Sequence, residues 1–268
     1  MTLIREDRPD TGIAILRLNR PEARNAINLE MRRRLVGELE SIEADAMLRA
    51  TVITGDLTAF AAGADVALLA NASVMDLHRL GLARLWARVF GHRKPLVAAV
   101  NGYAYGAGFE LALLCDMVFA GPGTRFALPE IKLGIMPGAG GTQRLVRLVG
   151  RHRAMDLLWS GEPLDGATAR EWGIVNDLAE RDDMVLPRAI ARAEAIAAMP
   201  PAAVEMIKSA VIEGADLPLA SALLIEQRNL QLLFDTDDQK LRMAAFLAKA
   251  GKGRGRAEAG SEGGEGHE

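Results

Sequence analysis

The middle of the chain, residues 101–145, reads NGYAYGAGFELALLCDMVFAGPGTRFALPEIKLGIMPGAGGTQRL. A strand-length apolar run, Leu96–Val100, leads into the small residues Gly106, Ala107 and Gly108, and an apolar helical pattern follows. Small residues at a helix start leave backbone N–H groups unshielded, without intrahelical partners and at the positive end of the helix dipole. The segment therefore predicts a site for an anion or a polarised oxygen.

A carboxylate lies one helical turn into this segment. Glu110 follows Ala107 by three residues, so both lie on the same helix face. Its neighbours in FELALLC are apolar, and burial among them raises the pKa of a carboxyl group toward neutrality. Glu110 is therefore a candidate proton carrier. A capping or salt-bridging role inside the core explains the helix pattern equally well.

A second acid favours proton transfer over a structural role for Glu110. Glu130 follows Pro129 in a predicted turn, again among apolar neighbours. Two acids in apolar settings, separated by one strand, are able to share a water molecule. The sequence pattern does not establish that they meet.

Strands and helices alternate through the first two thirds of the chain, which predicts an α/β fold. We expect a catalytic core over residues 1–198, a helical region over 199–250, and a disordered, glycine-rich tail over 251–268. The predicted strands are Ile13–Leu18, Thr51–Thr54, Leu96–Val100, Met117–Ala120 and Ile174–Leu178; the main predicted helices are Leu29–Ala46 and Asp76–Phe90, followed after residue 180 by helices alone.

Composition excludes several classes of function. A formal charge of −3 over 268 residues gives no basic field for nucleic acid. The single cysteine indicates a reducing compartment, and no apolar stretch is long enough for a membrane span, so we expect a cytoplasmic protein.

The four histidines are isolated, so no metal site is expected. Leu111 stands at the third glycine position of a dinucleotide fingerprint that begins at Gly106, which disfavours that reading.

Arg32, Arg33 and Arg34 follow one another in the predicted helix Leu29–Ala46. Basic residues on an amphipathic helix usually form its solvated face, and that is our expectation here. Binding of RNA by this triplet is the less favoured alternative.

Five motifs are informative together: Asn19-Arg-Pro21 with Asn25-Ala26, the loop Phe60–Asp65, the segment Asn101–Glu110, Pro129-Glu130, and Pro137–Leu145. By these motifs the chain resembles the enoyl-CoA hydratase (crotonase) family over about residues 5–250. Three segments, LWARV, GAGFELALLCD and LGIMPGAGGTQRL, are similar to those of bacterial 2,3-dehydroadipyl-CoA hydratases of phenylacetate breakdown.

The resemblance implies a spiral of ββα units, with a C-terminal helical region that packs homotrimers or homohexamers. It implies hydration of a trans-2-enoyl-CoA to a 3-hydroxyacyl-CoA, with Glu110 as base on water and Glu130 as acid toward Cα. The family's two oxyanion-hole amides fall on Ala64 and Ala107, and at Ala107 many relatives have glycine. No cofactor is implied, because coenzyme A is part of the substrate. A double-bond isomerase of the same fold is the alternative activity.

Coenzyme A contacts are carried over from the family by similarity. Ala67 stands where relatives often have lysine, which removes one possible phosphate partner. The implied substrate-binding residues are Ala62, Ala64, Asp65, Val66, Ala67, Ala107, Phe246 and Lys249.

Overall fold

The computed structural model describes residues 1–68 and 70–248. The chain divides into two compact units, Met1–Met199 and the part from Pro200 onward. The strands are β1 Leu3–Arg8, β2 Ile13–Leu18, β3 Ala50–Thr54, β4 Ala59–Ala61, β5 Leu96–Val100, β6 Tyr103–Tyr105, β7 Met117–Ala120, β8 Arg125–Ala127, β9 Leu164–Asp165 and β10 Asp177–Leu178. The helices are α1 Leu29–Ala44, α2 Val74–Leu80, α3 Leu82–Phe90, α4 Ala107–Leu114, α5 Gly141–Val149, α6 Arg151–Ser160, α7 Gly166–Glu171, α8 Val185–Ala197, α9 Pro201–Gly214 and α10 Leu219–Leu233.

The first unit contains two sheets, and the chain passes from one to the other in a repeated pattern. One sheet has the order β1-β2-β3-β5-β7-β10 and the other β4-β6-β8-β9. The pairs β3–β5, β5–β7, β4–β6 and β6–β8 are all parallel. Each passage of the chain thus adds one strand to each sheet before a helix returns it. This topology confirms the predicted α/β class and the spiral of ββα units.

The inner strands β2, β3, β5 and β7 of the larger sheet are mostly apolar because both of their faces are covered, whereas the edge strand β1 has four charged residues. In β2, Ile13 and Ile15 pack toward α8, and Ala14 and Leu16 face the other core. Alternate residues of a strand point to opposite faces, so one strand serves both cores.

The predicted helix Asp76–Phe90 is wrong in one respect, because it is two helices. Gly81, with φ +63°, ends α2 and precedes α3. A left-handed glycine is a common helix terminator, since it has no Cβ to clash. The predicted strand Ile174–Leu178 is shorter in the structure, where Ile174 and Val175 are buried but only Asp177–Leu178 pairs with β7.

The second unit contains α9, α10 and a helical segment over residues 237–248. Asn229 of α10 is buried and donates to the carbonyl of Met206 in α9 at 3.1 Å. In the part of the chain that the structure describes, no single helix is both long and apolar enough to cross a membrane. The predicted tail over 251–268 lies outside the described residues.

Candidate active site

One wall of the site is the loop after β4, which a buried asparagine holds in place. Asn25 is fully buried, with φ +58°, and its Nδ2 donates to the carbonyl of Ala59 at 2.8 Å. Its Oδ1 accepts from the amide of Arg20 at 2.8 Å. Backbone bonds Ile27 N–H to Gly63 O and Asp65 N–H to Ile27 O continue this attachment. Asn25 therefore fixes the start of β4, and Ile27, two residues later, holds the backbone on both sides of Ala64.

The second wall is the turn between β6 and α4. Gly106 has φ +48° and ψ −122°, a conformation that L residues with a Cβ rarely adopt. A Cβ on Gly106 would lie 2.9 Å from Oε1 of Glu130 and 3.7 Å from Cα of Gly63. The start of α4 also packs closely against β4, because a Cβ on Gly108 would overlap the carbonyl oxygen of Ala61. The structure thus brings the loop of Ala64, the turn of Ala107 and Glu130 together.

Two amides at this meeting point are available to a ligand. Ala107 is the first residue of α4, and its N–H meets no acceptor within residues 1–68 and 70–248. The N–H of Ala64 also lacks an acceptor there, since the parallel bridge to Ile27 uses the amides of neighbouring residues. Free amides beside a helix N-terminus are suited to an oxygen that carries partial negative charge.

Glu110 lies in the first turn of α4 and is only 3 % exposed. Its Oε1 accepts from the amides of Ala139 at 2.7 Å and Gly141 at 2.9 Å. Burial raises the pKa of Glu110, and these two hydrogen bonds oppose the increase. The sequence analysis missed both donors; the signal was the run Pro137-Gly-Ala-Gly-Gly141, whose last glycine leaves room for the Glu110 side chain.

Glu130 is held in a 3-10 turn, Pro129–Leu133, that Gly134 ends at φ +73°. Its Oε2 is buried and has no hydrogen-bond partner among the described residues. Burial, together with the charge of Glu110, raises the pKa of Glu130 to about 7. The two acids are therefore close enough to interact electrostatically. Glu110 accepts from two amides of another segment, whereas the charged form of Glu130 is favoured only by its own backbone amide.

The prediction of a solvated Arg32 is wrong. Arg32 is 4 % exposed, and its guanidinium lies over the Trp86 ring, with Cζ 5.1 Å from the centroid. The positive charges of Arg32 and Arg144 both counteract the pKa increase of Glu110. Of the triplet, Arg33 is exposed and Arg34 pairs with Glu38 at 3.7 Å. A three-arginine surface for RNA is therefore not present.

The predicted coenzyme A residues fall into two groups. Asp65 pairs with Arg20 at 3.3 Å, the amide of Ala62 is bonded to the carbonyl of Arg24, and Val66 and Ala67 are exposed on the following turn. Phe246 is 69 % exposed in the helical segment of the second unit. Lys249 lies outside the described residues. No group of three or more metal-ligating side chains occurs within the described ranges.

Comparisons with known proteins agree on one family. The family model described as enoyl-CoA hydratase/isomerase matches residues 8–252. A 2,3-dehydroadipyl-CoA hydratase of Escherichia coli (strain K12) is 44 % identical, over 88 % of this chain and 92 % of that protein. A mitochondrial enoyl-CoA hydratase of Pongo abelii is 38 % identical, over 88 % and 81 %. The crystal structure of an enoyl-CoA hydratase from Bacillus anthracis is similar at a TM-score of 0.87 and 32 % identity, over 93 % and 97 %.

Proposed function

The chain belongs to the enoyl-CoA hydratase/isomerase family, and on that premise we propose that Glu110 and Glu130 carry out syn hydration of a trans-2-enoyl-CoA. By its similarity to these relatives the chain is an enzyme, an enoyl-CoA hydratase. The observation that carries the mechanistic proposal is the convergence of Glu130, Gly106 and Gly63 beside the unpaired amides of Ala64 and Ala107.

In the proposed mechanism, the thioester carbonyl oxygen accepts hydrogen bonds from the amides of Ala64 and Ala107. Attack of water at Cβ moves electron density onto this oxygen, so donors fixed in advance stabilise the enolate more than the substrate. The positive end of α4 acts in the same direction. A lost donor would lower the rate by a factor equivalent to about 3 to 4 kcal/mol.

The two acids have unequal surroundings, which supports unequal roles. Glu110 accepts two amide hydrogen bonds, so its charged form is favoured, and it takes the proton of the attacking water. Glu130 has no such donor at Oε2, and a pKa of about 7 keeps a proton available for Cα. One proton leaves water and one arrives at Cα, so the hydroxyl group and hydrogen added together equal one water. Dehydration reverses both roles.

The finer parts of the proposal concern the substrate and the assembly. Coenzyme A enters as part of the thioester, with contacts along the loop that contains Ala62, Asp65 and Val66. The acyl group is a 2,3-dehydroadipyl chain, as in the name of the relative from Escherichia coli. A homotrimer or homohexamer, a cytoplasmic location and the absence of a cofactor complete the proposal.

The test is steady-state hydration of crotonyl-CoA by the wild type, Glu110→Gln and Glu130→Gln. Each substitution keeps the size of the side chain and removes its proton transfer, so we expect a decrease in kcat of about 10²- to 10⁴-fold. Glu171→Gln is the matched control, because the Glu171 side chain is 73 % exposed. Near-wild-type turnover in either of the first two variants would refute the assignment.

The alternative activity is double-bond isomerisation within the same family. The nearby second acid favours hydration, because addition of water needs both a base for the water and a proton for Cα. Conversion of a 3-enoyl-CoA faster than hydration of crotonyl-CoA would favour the isomerase.

A further inference from the structure

Arg32 is a buried cation without a matching anion. It lies on the core-facing side of α1, between Met31 and Leu35, and its Nε has no hydrogen-bond partner in the described part of the chain. No ion pair joins Arg32 to an acid among those residues either. Its guanidinium instead rests over Trp86 of α3, a ring that is itself buried.

A buried charge is strongly unfavourable unless it is paired and hydrogen-bonded. Burial lowers the pKa of Arg32, and the acid whose charge opposes that effect is Glu110. Glu110 already accepts two amide hydrogen bonds, and it is also influenced by Arg144. Arg144 has a buried, unpartnered Nε of its own. Two cations thus depend on one carboxylate, which leaves positive charge uncompensated beside the reaction centre.

The position of Arg32 relative to the reaction centre indicates which anion it would receive. In the proposed mechanism Cβ lies beside Glu110. Arg32 lies over Trp86 of α3, and one turn later in α3 the Cζ of Arg144 lies 4.0 Å from the Phe90 centroid. Arg144 follows by three residues Gly141, whose amide donates to Glu110, so these contacts bring Arg32 to the Glu110 side of the core. A carboxylate at the far end of a short acyl chain is only a few bonds beyond Cβ, so it is able to approach the guanidinium. The phosphates of coenzyme A are at the other end of the substrate, beyond the thioester.

We propose that Arg32 forms a subsite for the terminal carboxylate of the acyl chain, so that the preferred substrates are enoyl-CoA monothioesters of dicarboxylic acids. A guanidinium presents a planar fork of N–H donors that matches a carboxylate. The aromatic face of Trp86 holds the guanidinium without using any of its donors. This inference rests on the proposed hydration site and adds the residue that selects the acyl group.

The experiment compares two substrates of equal carbon number, trans-2-hexenoyl-CoA and 2,3-dehydroadipyl-CoA, which differ in the terminal carboxylate. The measured quantity is the ratio of their kcat/KM values, diacid over monoacid. We expect a wild-type ratio above 10. In Arg32→Met, which keeps the aliphatic length of the side chain, the ratio should fall by about 10- to 100-fold, the effect of one charge-assisted hydrogen-bonded pair. Arg33→Met, the same substitution at the exposed next residue, should leave the ratio unchanged.

A ratio is used because any effect of Arg32 on Glu110 changes kcat/KM for both substrates by the same factor, and this factor cancels in the ratio. A wild-type ratio near or below 1 would overturn the subsite, and this result does not depend on whether any variant folds. Equal losses on both substrates in Arg32→Met would also overturn it, by showing that Arg32 only positions Glu110. Hydration of hexenoyl-CoA without diacid preference leaves the proposed hydration by Glu110 and Glu130 standing, and it removes the Arg32 subsite together with the proposed 2,3-dehydroadipyl substrate. Absence of turnover with both substrates would instead refute the proposed function.

Discussion

Gly141→Ala tests how the position of the Glu110 side chain sets its pKa. A Cβ at residue 141 would lie 3.0 Å from Cβ of Pro137, 3.1 Å from Oε1 of Glu110 and 3.2 Å from its Cγ. These contacts are tighter than normal van der Waals packing, so the Glu110 side chain must retreat by a few tenths of an ångström. The amide of residue 141 is one of its two donors, at 2.9 Å, and this hydrogen bond should lengthen or break.

The expected magnitude follows from that hydrogen bond. A hydrogen bond to a charged group contributes about 1.5 to 3 kcal/mol, and about 1.4 kcal/mol corresponds to one pH unit. Loss of the bond should therefore raise the pKa of Glu110 by about one to two pH units. The base must be ionised to accept a proton, so the acid limb of the pH–rate profile should move to higher pH by that amount. Above the pKa of Glu110, loss of this bond should also lower the unfolding free energy by about 1.5 to 3 kcal/mol, of which the better helix propensity of alanine restores about 1 kcal/mol.

The assay is kcat/KM for crotonyl-CoA hydration from pH 5 to pH 9, together with urea unfolding. Gly138→Ala is the control, because a Cβ there meets nothing within 4 Å, although it lies in the same loop. Superimposable profiles for Gly141→Ala and the wild type would refute the reasoning. An equal displacement in Gly138→Ala would refute it as well.

Three further results are expected. The alkaline limb of the wild-type pH–rate profile should have an apparent pKa near 7, because Glu130 must be protonated to give a proton to Cα. Glu130→Gln should lose that limb. An alkaline limb above pH 9 in the wild type would contradict the assignment. Because the folded-state pKa of Glu130 is raised from 4.5 to about 7, folding stability should decrease as the pH rises between these two values and then level off. The urea midpoint of the wild type should therefore fall relative to that of Glu130→Gln between about pH 5 and pH 7.5. Dialysis against EDTA should leave crotonyl-CoA hydration within about twofold of its starting value, since the proposed proton transfers use carboxylates alone; metal-dependent recovery of lost activity would contradict this.

The inner strands of the larger sheet were predictable because they are apolar on both faces, whereas the charged edge strand β1 was not predicted. The predicted bounds of Ile13–Leu18, Leu96–Val100 and Met117–Ala120 match β2, β5 and β7. The second sheet was not predicted. Its strands β4, β6 and β8 have three residues each, too few for a period of two to be distinguished from a loop. They become strands only because the ββα spiral places them side by side.

The candidate site was also only partly predictable from the sequence. Apolar neighbours around Glu110 and Glu130 predict buried carboxyl groups with raised pKa values. In the structure, burial raises the pKa of both groups. The amides of Ala139 and Gly141 could not be assigned to Glu110, because a glycine-rich segment does not specify which side chain it surrounds. Arg32 was misassigned because its charge outweighed its position next to the buried Met31 in the helical pattern.

The sequence by itself determined the α/β class, the family and the presence of two acids in apolar segments, because these depend on local pattern and residue type. Only the tertiary structure decided which amides face which acid, and that a cation is buried among them. Those properties arise from contacts between segments such as residues 32 and 86, or 110 and 141, that are distant along the chain. Their energies depend on separation and burial, which no single segment of sequence contains.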